Sequence, residues 1–167
     1  MRRYVRFVAA VLLLMAMLAV PAAASKPEPV EGTIASSVLW DDTWTVGNRC
    51  FAVGESAVTL GGDFVGSGVH CFWSVGHGPC SAEPAAFQMV ETFRQEGTFD
   101  GTVLGKPGTF VYRCQNVWRP DQPDTLKLDC NIRSGTGELG GLRGHFDVHI
   151  TFPPPFAYVG EVHFDGK

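Results

Sequence analysis

Between residues 134 and 144 the chain reads Ser134-Gly135-Thr136-Gly137-Glu138-Leu139-Gly140-Gly141-Leu142-Arg143-Gly144, five glycines in eleven residues. On either side the apolar residues alternate: Leu126, Leu128, Cys130 and Ile132 before it, Phe146, Val148, Ile150 and Phe152 after it. Period two is how half-buried strands read, so the stretch predicts a corner between two strands. Gly135, Gly137 and Gly140 also satisfy G-x-G-x-x-G, but that spacing cradles a pyrophosphate only where a helix begins after a strand. Here the chain continues as an alternating segment into Pro153-Pro154-Pro155, so no helix starts and a dinucleotide site is excluded.

The N-terminus sets the compartment. Arg2, Arg3 and Arg6 form a basic start, residues 8–20 an apolar run and Ala22-Ala23-Ala24 a small-residue cleavage site, so residues 1–24 read as a secretory signal. The run is shorter than the roughly 20 residues a membrane span needs. The expectation is a secreted or extracytoplasmic protein with no membrane span. Without its three leader arginines the chain keeps ten basic residues against 17 acidic, a formal net charge of −7. Nucleic acid and anionic lipid are bound through clustered Lys and Arg, so neither is expected as a partner.

Residues 25–30, with Pro27 and Pro29, read as a disordered leader, and residues 31–167 as one domain. Strands are predicted over 31–40, 56–64, 69–75, 86–98, 109–118, 125–133, 143–152 and 156–165, with a loop over 42–55 and a tight turn at Gly66-Ser67-Gly68. The 20 glycines fit an all-β chain with many corners. The prolines fall outside the predicted strands, as expected of a residue that cannot donate to a ladder. Eight strands with short connections predict an antiparallel up-and-down β-barrel, just wide enough to be filled by its own side chains or to hold one small ligand.

Five cysteines fit an oxidising compartment. Cys114 and Cys130 are equidistant from the turn centre at Gln122 and share the parity of inward apolar residues, which predicts a cross-strand disulfide. Cys50 and Cys80, in loops at one barrel end, are the second predicted pair. Cys71 is left as a free thiol on a face with Val69, Trp73 and Val75, read as the inner one, where it would act as a small buried hydrophobe.

Glu91 is the carboxylate on an otherwise apolar strand face with Phe87, Met89 and Phe93. On an internal face it would be placed for proton transfer or for orienting a polar ligand atom, unless it simply pairs with a buried Arg or Tyr hydroxyl. Trp73, Phe87, Met89, Phe93 and Tyr112 are the candidate ligand-binding lining. His145, Asp147 and His149 share a strand face, opposite Glu161, His163 and Asp165. His145 and His149 are about 13 Å apart at roughly 3.3 Å per residue, too far to share one metal. They read as an exposed charge ladder, and no metal or other cofactor is expected. In the corner, Arg143 reads as structural, with Glu138 as a candidate partner.

Residues 134–144 resemble the SGTGEL-x-GLRG signature of a bacterial domain-of-unknown-function family, DUF3224, in the allene oxide cyclase barrel-like superfamily. Plant dirigent proteins and allene oxide cyclases carry a looser form of it. Trp40-Asp41 resembles the family's strand-closing W-D. Gly62-Asp63-Phe64-Val65-Gly66-Ser67-Gly68 resembles its G-D-x-x-G-x-G hairpin, and Glu91-Thr92-Phe93 with residues 101–110 resembles its E-x-F and G-x-x-G-x-x-G-[ST]-F passage. The resemblance implies the allene oxide cyclase-like barrel, with Gly135, Thr136, Gly137, Arg143 and Gly144 as its corner motif. Three readings follow: a barrel binding a small apolar molecule, a cyclase or isomerase guided by Glu91, or a filled barrel acting through its loops, any of them as a homo-oligomer. An open cavity containing Glu91 favours the cyclase, an open cavity without an inward acid favours the binder, and a closed core favours the filled barrel.

Overall fold

The computed structural model describes residues 25–78, 80, 89–122 and 126–165. The predicted signal over 1–24 and the candidate Phe87 lie outside them. Eight strands, β1 (Glu28–Val46), β2 (Arg49–Gly62), β3 (Phe64–Gly76), β4 (Glu91–Val103), β5 (Lys106–Trp118), β6 (Lys127–Gly135), β7 (Leu142–His149) and β8 (Phe156–Phe164), form one antiparallel sheet. Each strand pairs with the next and β8 returns to β1, so the sheet closes into a barrel. Closure leaves no strand of the ring with an unpaired edge along its full length.

The core occupies one half of the barrel. Phe64, Phe99, Phe110, Phe146 and Tyr158 are essentially buried and meet as ring on ring, with Phe64 stacked on Tyr158 at 4.9 Å and Phe99 on Phe110 at 4.6 Å. Such pairs add about 0.5–1.5 kcal/mol each beyond their burial. Tyr158 also ties the backbone of the β2–β3 turn, its hydroxyl accepting from the Phe64 N–H (2.8 Å) and donating to the Gly61 carbonyl (3.2 Å). The glycine-rich corner closes this end. Gly137, at φ +63°, lets a single 3-10 turn (Gly137–Leu139) fold back, and Leu139 and Leu142 insert with no exposure. Thr136 locks the turn onto β5 through its N–H to the Thr109 carbonyl (2.8 Å) and a hydroxyl–hydroxyl bond of 2.6 Å.

Several expectations need correction. The chain turns at Gly62-Asp63, not at residues 66–68, so β3 starts at Phe64 and runs through both glycines. Phe64 is drawn into the aromatic cluster and fixes the strand's parity. His70, Phe72 and Ser74 therefore face inward, while Val69, Cys71 and Trp73 face out. Cys71 is an exposed thiol, not a buried one. The loop over 42–55 is instead a long ribbon of β1 and β2 turning at Gly47-Asn48. The leader is shorter than expected, because Val30 is buried and pairs with Gly160. Pro29 and Pro107 sit near the starts of β1 and β5, where a missing N–H costs least.

Candidate functional site

Beyond the aromatic cluster the barrel is not filled. A cavity of about 210 Å³ opens at the end where β4 begins and β5 ends, with side chains from all eight strands and the β7–β8 connection on its wall. Phe72, Phe93, Trp118, Leu126, Leu128, Val148, Ile150 and Phe156 make most of that wall apolar. Its polar residues are Ser36, Ser56, His70, Glu91, Gln95 and Asn116. Ser56, His70 and Gln95 are nearly inaccessible to bulk solvent. The shape is a cup with greasy walls and a polar floor.

The floor rests on one cross-strand row, in which Ser56, His70, Gly97 and Tyr112 stand side by side on β2, β3, β4 and β5. Gly97 is what lets the row work. A β-carbon there would stand 2.7 Å from both the His70 β-carbon and the Tyr112 hydroxyl. With only hydrogen at that position, His70 and Tyr112 reach across β4 and share a hydrogen bond of 3.2 Å between Nδ1 and Oη. Burial lowers the His70 pKa to about 4 and pushes the Tyr112 hydroxyl up, so both are neutral at physiological pH. Tyr112 has no other side-chain or backbone acceptor among the described residues. Its O–H donates to Nδ1, which places the imidazole proton on Nε2.

Gln95 lies one diagonal step from His70 on the same inner face, since Phe72 pairs with Gln95 and His70 with Gly97. Its amide nitrogen donates to Cys114 Sγ (3.4 Å), which leaves the amide oxygen as an acceptor beside the cup. Cys114 is bonded to Cys130 directly across β5 and β6, both fully buried, and Cys50 is bonded to Cys80. The core disulfide thus underpins the floor through Gln95.

The candidates read from the sequence divide. Phe93 and Glu91 line the cup, Glu91 half-buried at the mouth as the first residue of β4. Trp73 points outward and is 37 % exposed. Tyr112 is a core residue supporting His70, not wall. Met89 precedes β4 and its sulfur packs over Gly76, the residue paired with Glu91. Sequence reasoning missed His70, Gln95, Ser56, Phe72 and Trp118. Gln95 was within reach, because it continues the parity of Glu91 and Phe93. His70 was not, because the outer face of β3 is more apolar than its inner one.

The charge ladder is external: His145 stands opposite Glu161, and Lys127 bonds Asp147 at 2.8 Å, which raises the lysine's pKa. Among the described residues no cluster of His, Cys, Asp and Glu is arranged to hold a metal. Arg143 pairs with Asp165 (3.5 Å), not Glu138, and its guanidinium also donates to the Leu142 carbonyl. The reason is register: Arg143 pairs with His163 on β8, which brings Asp165 within reach. Among the described residues no helix is long and apolar enough to cross a membrane.

No protein-family model matches the sequence, and no curated protein matches it. Among solved structures, a protein of unknown function from the DUF3224 family of Shewanella oneidensis MR-1 is similar, with a TM-score of 0.67 over 85 % of this chain and 100 % of that one, at 16 % identity. The chain shares the fold of that DUF3224-family protein.

Proposed function

We propose that the protein is an exported member of the DUF3224 group, within the allene oxide cyclase-like superfamily, that binds a small apolar molecule in the barrel cup. The observation that carries this reading is a barrel plugged at one end and open at the other, with mostly apolar walls over a few convergent polar groups, the usual composition of small-molecule sites. A dry apolar cavity of about 150 Å³ admits benzene, so 210 Å³ suits a single ring or a short chain. A ring burying roughly 150–250 Å² gains about 4–6 kcal/mol at 25 cal/mol per Å². Before the cost of immobilisation that corresponds to millimolar to tens of micromolar affinity. The two disulfides are compatible with export.

The test is native mass spectrometry of the protein purified gently from the exported fraction, beside a Leu128→Trp variant that fills the cup. The reading expects a small-molecule adduct on the wild type that the variant loses. An adduct retained by the variant would place the ligand elsewhere and sink the reading.

An open cavity with Glu91 on its wall meets the condition set for a cyclase or isomerase, in which the carboxylate steers charge or a proton in the bound substrate. This reading stands second because Glu91 is half-buried at the mouth and not among the enclosed groups of the floor. Glu91→Gln separates the two. Retained binding with lost turnover of the adduct molecule marks the enzyme, whereas unchanged behaviour leaves a carrier.

A further inference from the structure

We infer that the cup selects an uncharged ligand carrying one group that both donates and accepts a hydrogen bond, such as a phenol or an alcohol, inserted head-first onto His70 and Gln95. The inference rests on the cup being a ligand site and adds the chemistry of the ligand. Two polar atoms at the floor are complementary. The His70 Nε2–H is a donor and the Gln95 side-chain oxygen an acceptor, and neither has a partner among the described residues. The two residues are diagonal neighbours on adjacent strands, a spacing at which side-chain tips converge on one small group. A hydroxyl satisfies both at once. A hydrocarbon leaves both unpaired in a site that excludes bulk water, which is penalised.

Charge is sorted by the same wall. Among the described residues it contains no Lys or Arg, its histidine is neutral, and its carboxylate, Glu91, stands at the mouth. A carboxylate ligand would pass Glu91 and then be buried without a counter-ion, the costliest arrangement for an anion. Fatty-acid-type and other anionic ligands are therefore excluded even where their tails fit.

Three probes of one shape test this: p-cresol, toluene and 4-methylbenzoate, titrated at pH 7 against the full protein by ligand-observed NMR. Two net hydrogen bonds predict p-cresol binding about tenfold or more tighter than toluene, and 4-methylbenzoate weaker than either. Gln95→Leu and His70→Leu, each checked for a native-like melt, should each remove one of the two hydrogen bonds, weaken p-cresol without weakening toluene, and so narrow the gap between the two several-fold. The Gln95 variant keeps the test decisive if the His70 variant does not fold. Equal affinities of p-cresol and toluene for the wild type would overturn the head-group assignment while the cup reading stands. Preferred binding of 4-methylbenzoate would overturn the exclusion of anions. Failure of all three to bind, in a protein whose melt is cooperative, would overturn both this inference and the cup reading.

Discussion

At the scale of single residues, His70 carries the chemistry of the floor. Its folded pKa of about 4 lies below the ordinary 6.5, so the unfolded chain takes up a proton that the folded one refuses. Stability from this group is complete above pH 6.5, falls as pH drops through 6.5 and is lost once pH reaches about 4. At 1.36 kcal/mol per unit the whole effect is roughly 3 kcal/mol. His70→Gln, which cannot titrate, should flatten that part of the acid limb in urea melts followed between pH 7 and 4. An unchanged limb would show that the histidine is already solvated. Gly97→Ala attacks the same dyad from beneath, since its methyl must displace His70 or Tyr112. A loss of about 1–3 kcal/mol is expected from overpacking, together with weaker cresol binding. Cys71 behaves differently from the other four cysteines. Exposed on the outer face of β3, it should take up one equivalent of maleimide in the native protein without reductant, and labelling only after unfolding would contradict its placement.

At the scale of elements, the two ends of the barrel separate stability from binding. The corner between β6 and β7 inserts Leu139 into the plugged end, where it is fully buried. Leu139→Ala should cost about 2–5 kcal/mol by the cavity it leaves, yet leave ligand affinity unchanged, because the cup is built at the other end. The disulfides divide similarly. By loop length alone Cys50–Cys80, spanning 30 residues, should contribute slightly more than Cys114–Cys130, spanning 16, both near 3–4 kcal/mol. The second pair is fully buried and supports Gln95, however, so its removal adds a packing loss. Denaturant midpoints of the two double-serine variants should therefore rank opposite to loop length. The β1–β2 ribbon is held by its own ladder, by Trp40 donating to Glu55 (2.9 Å), by Trp44 stacked on Phe51 at 5.6 Å, and at Cys50 by the disulfide to Cys80.

At the scale of the whole molecule, function follows from uneven filling. Five large rings, Phe64, Phe99, Phe110, Phe146 and Tyr158, occupy facing inner positions at the plugged end and fill it by packing on one another. Toward the mouth the same inner faces carry Ser36, Ser56, Gln95 and Asn116, too small or too polar to fill the space. An eight-stranded barrel is wide enough for either outcome. This chain takes both, one at each end.

The ring of eight antiparallel strands was legible in the residue order alone, because period-two alternation and glycine or proline corners are local signals that survive without knowledge of any partner. Opposed parity across the Gln122 turn likewise paired Cys114 with Cys130, and the parity of Phe93 placed it and Glu91 on the inner face. Residue order pointed the wrong way for the parity of β3, where the outer residues Val69, Cys71 and Trp73 are more apolar than the inner His70, Phe72 and Ser74. That choice was made by Phe64 packing among rings from β4, β5, β7 and β8, distant in sequence and adjacent only once the barrel closes. The buried histidine, its tyrosine partner across Gly97 and the open half of the barrel all follow from that closure.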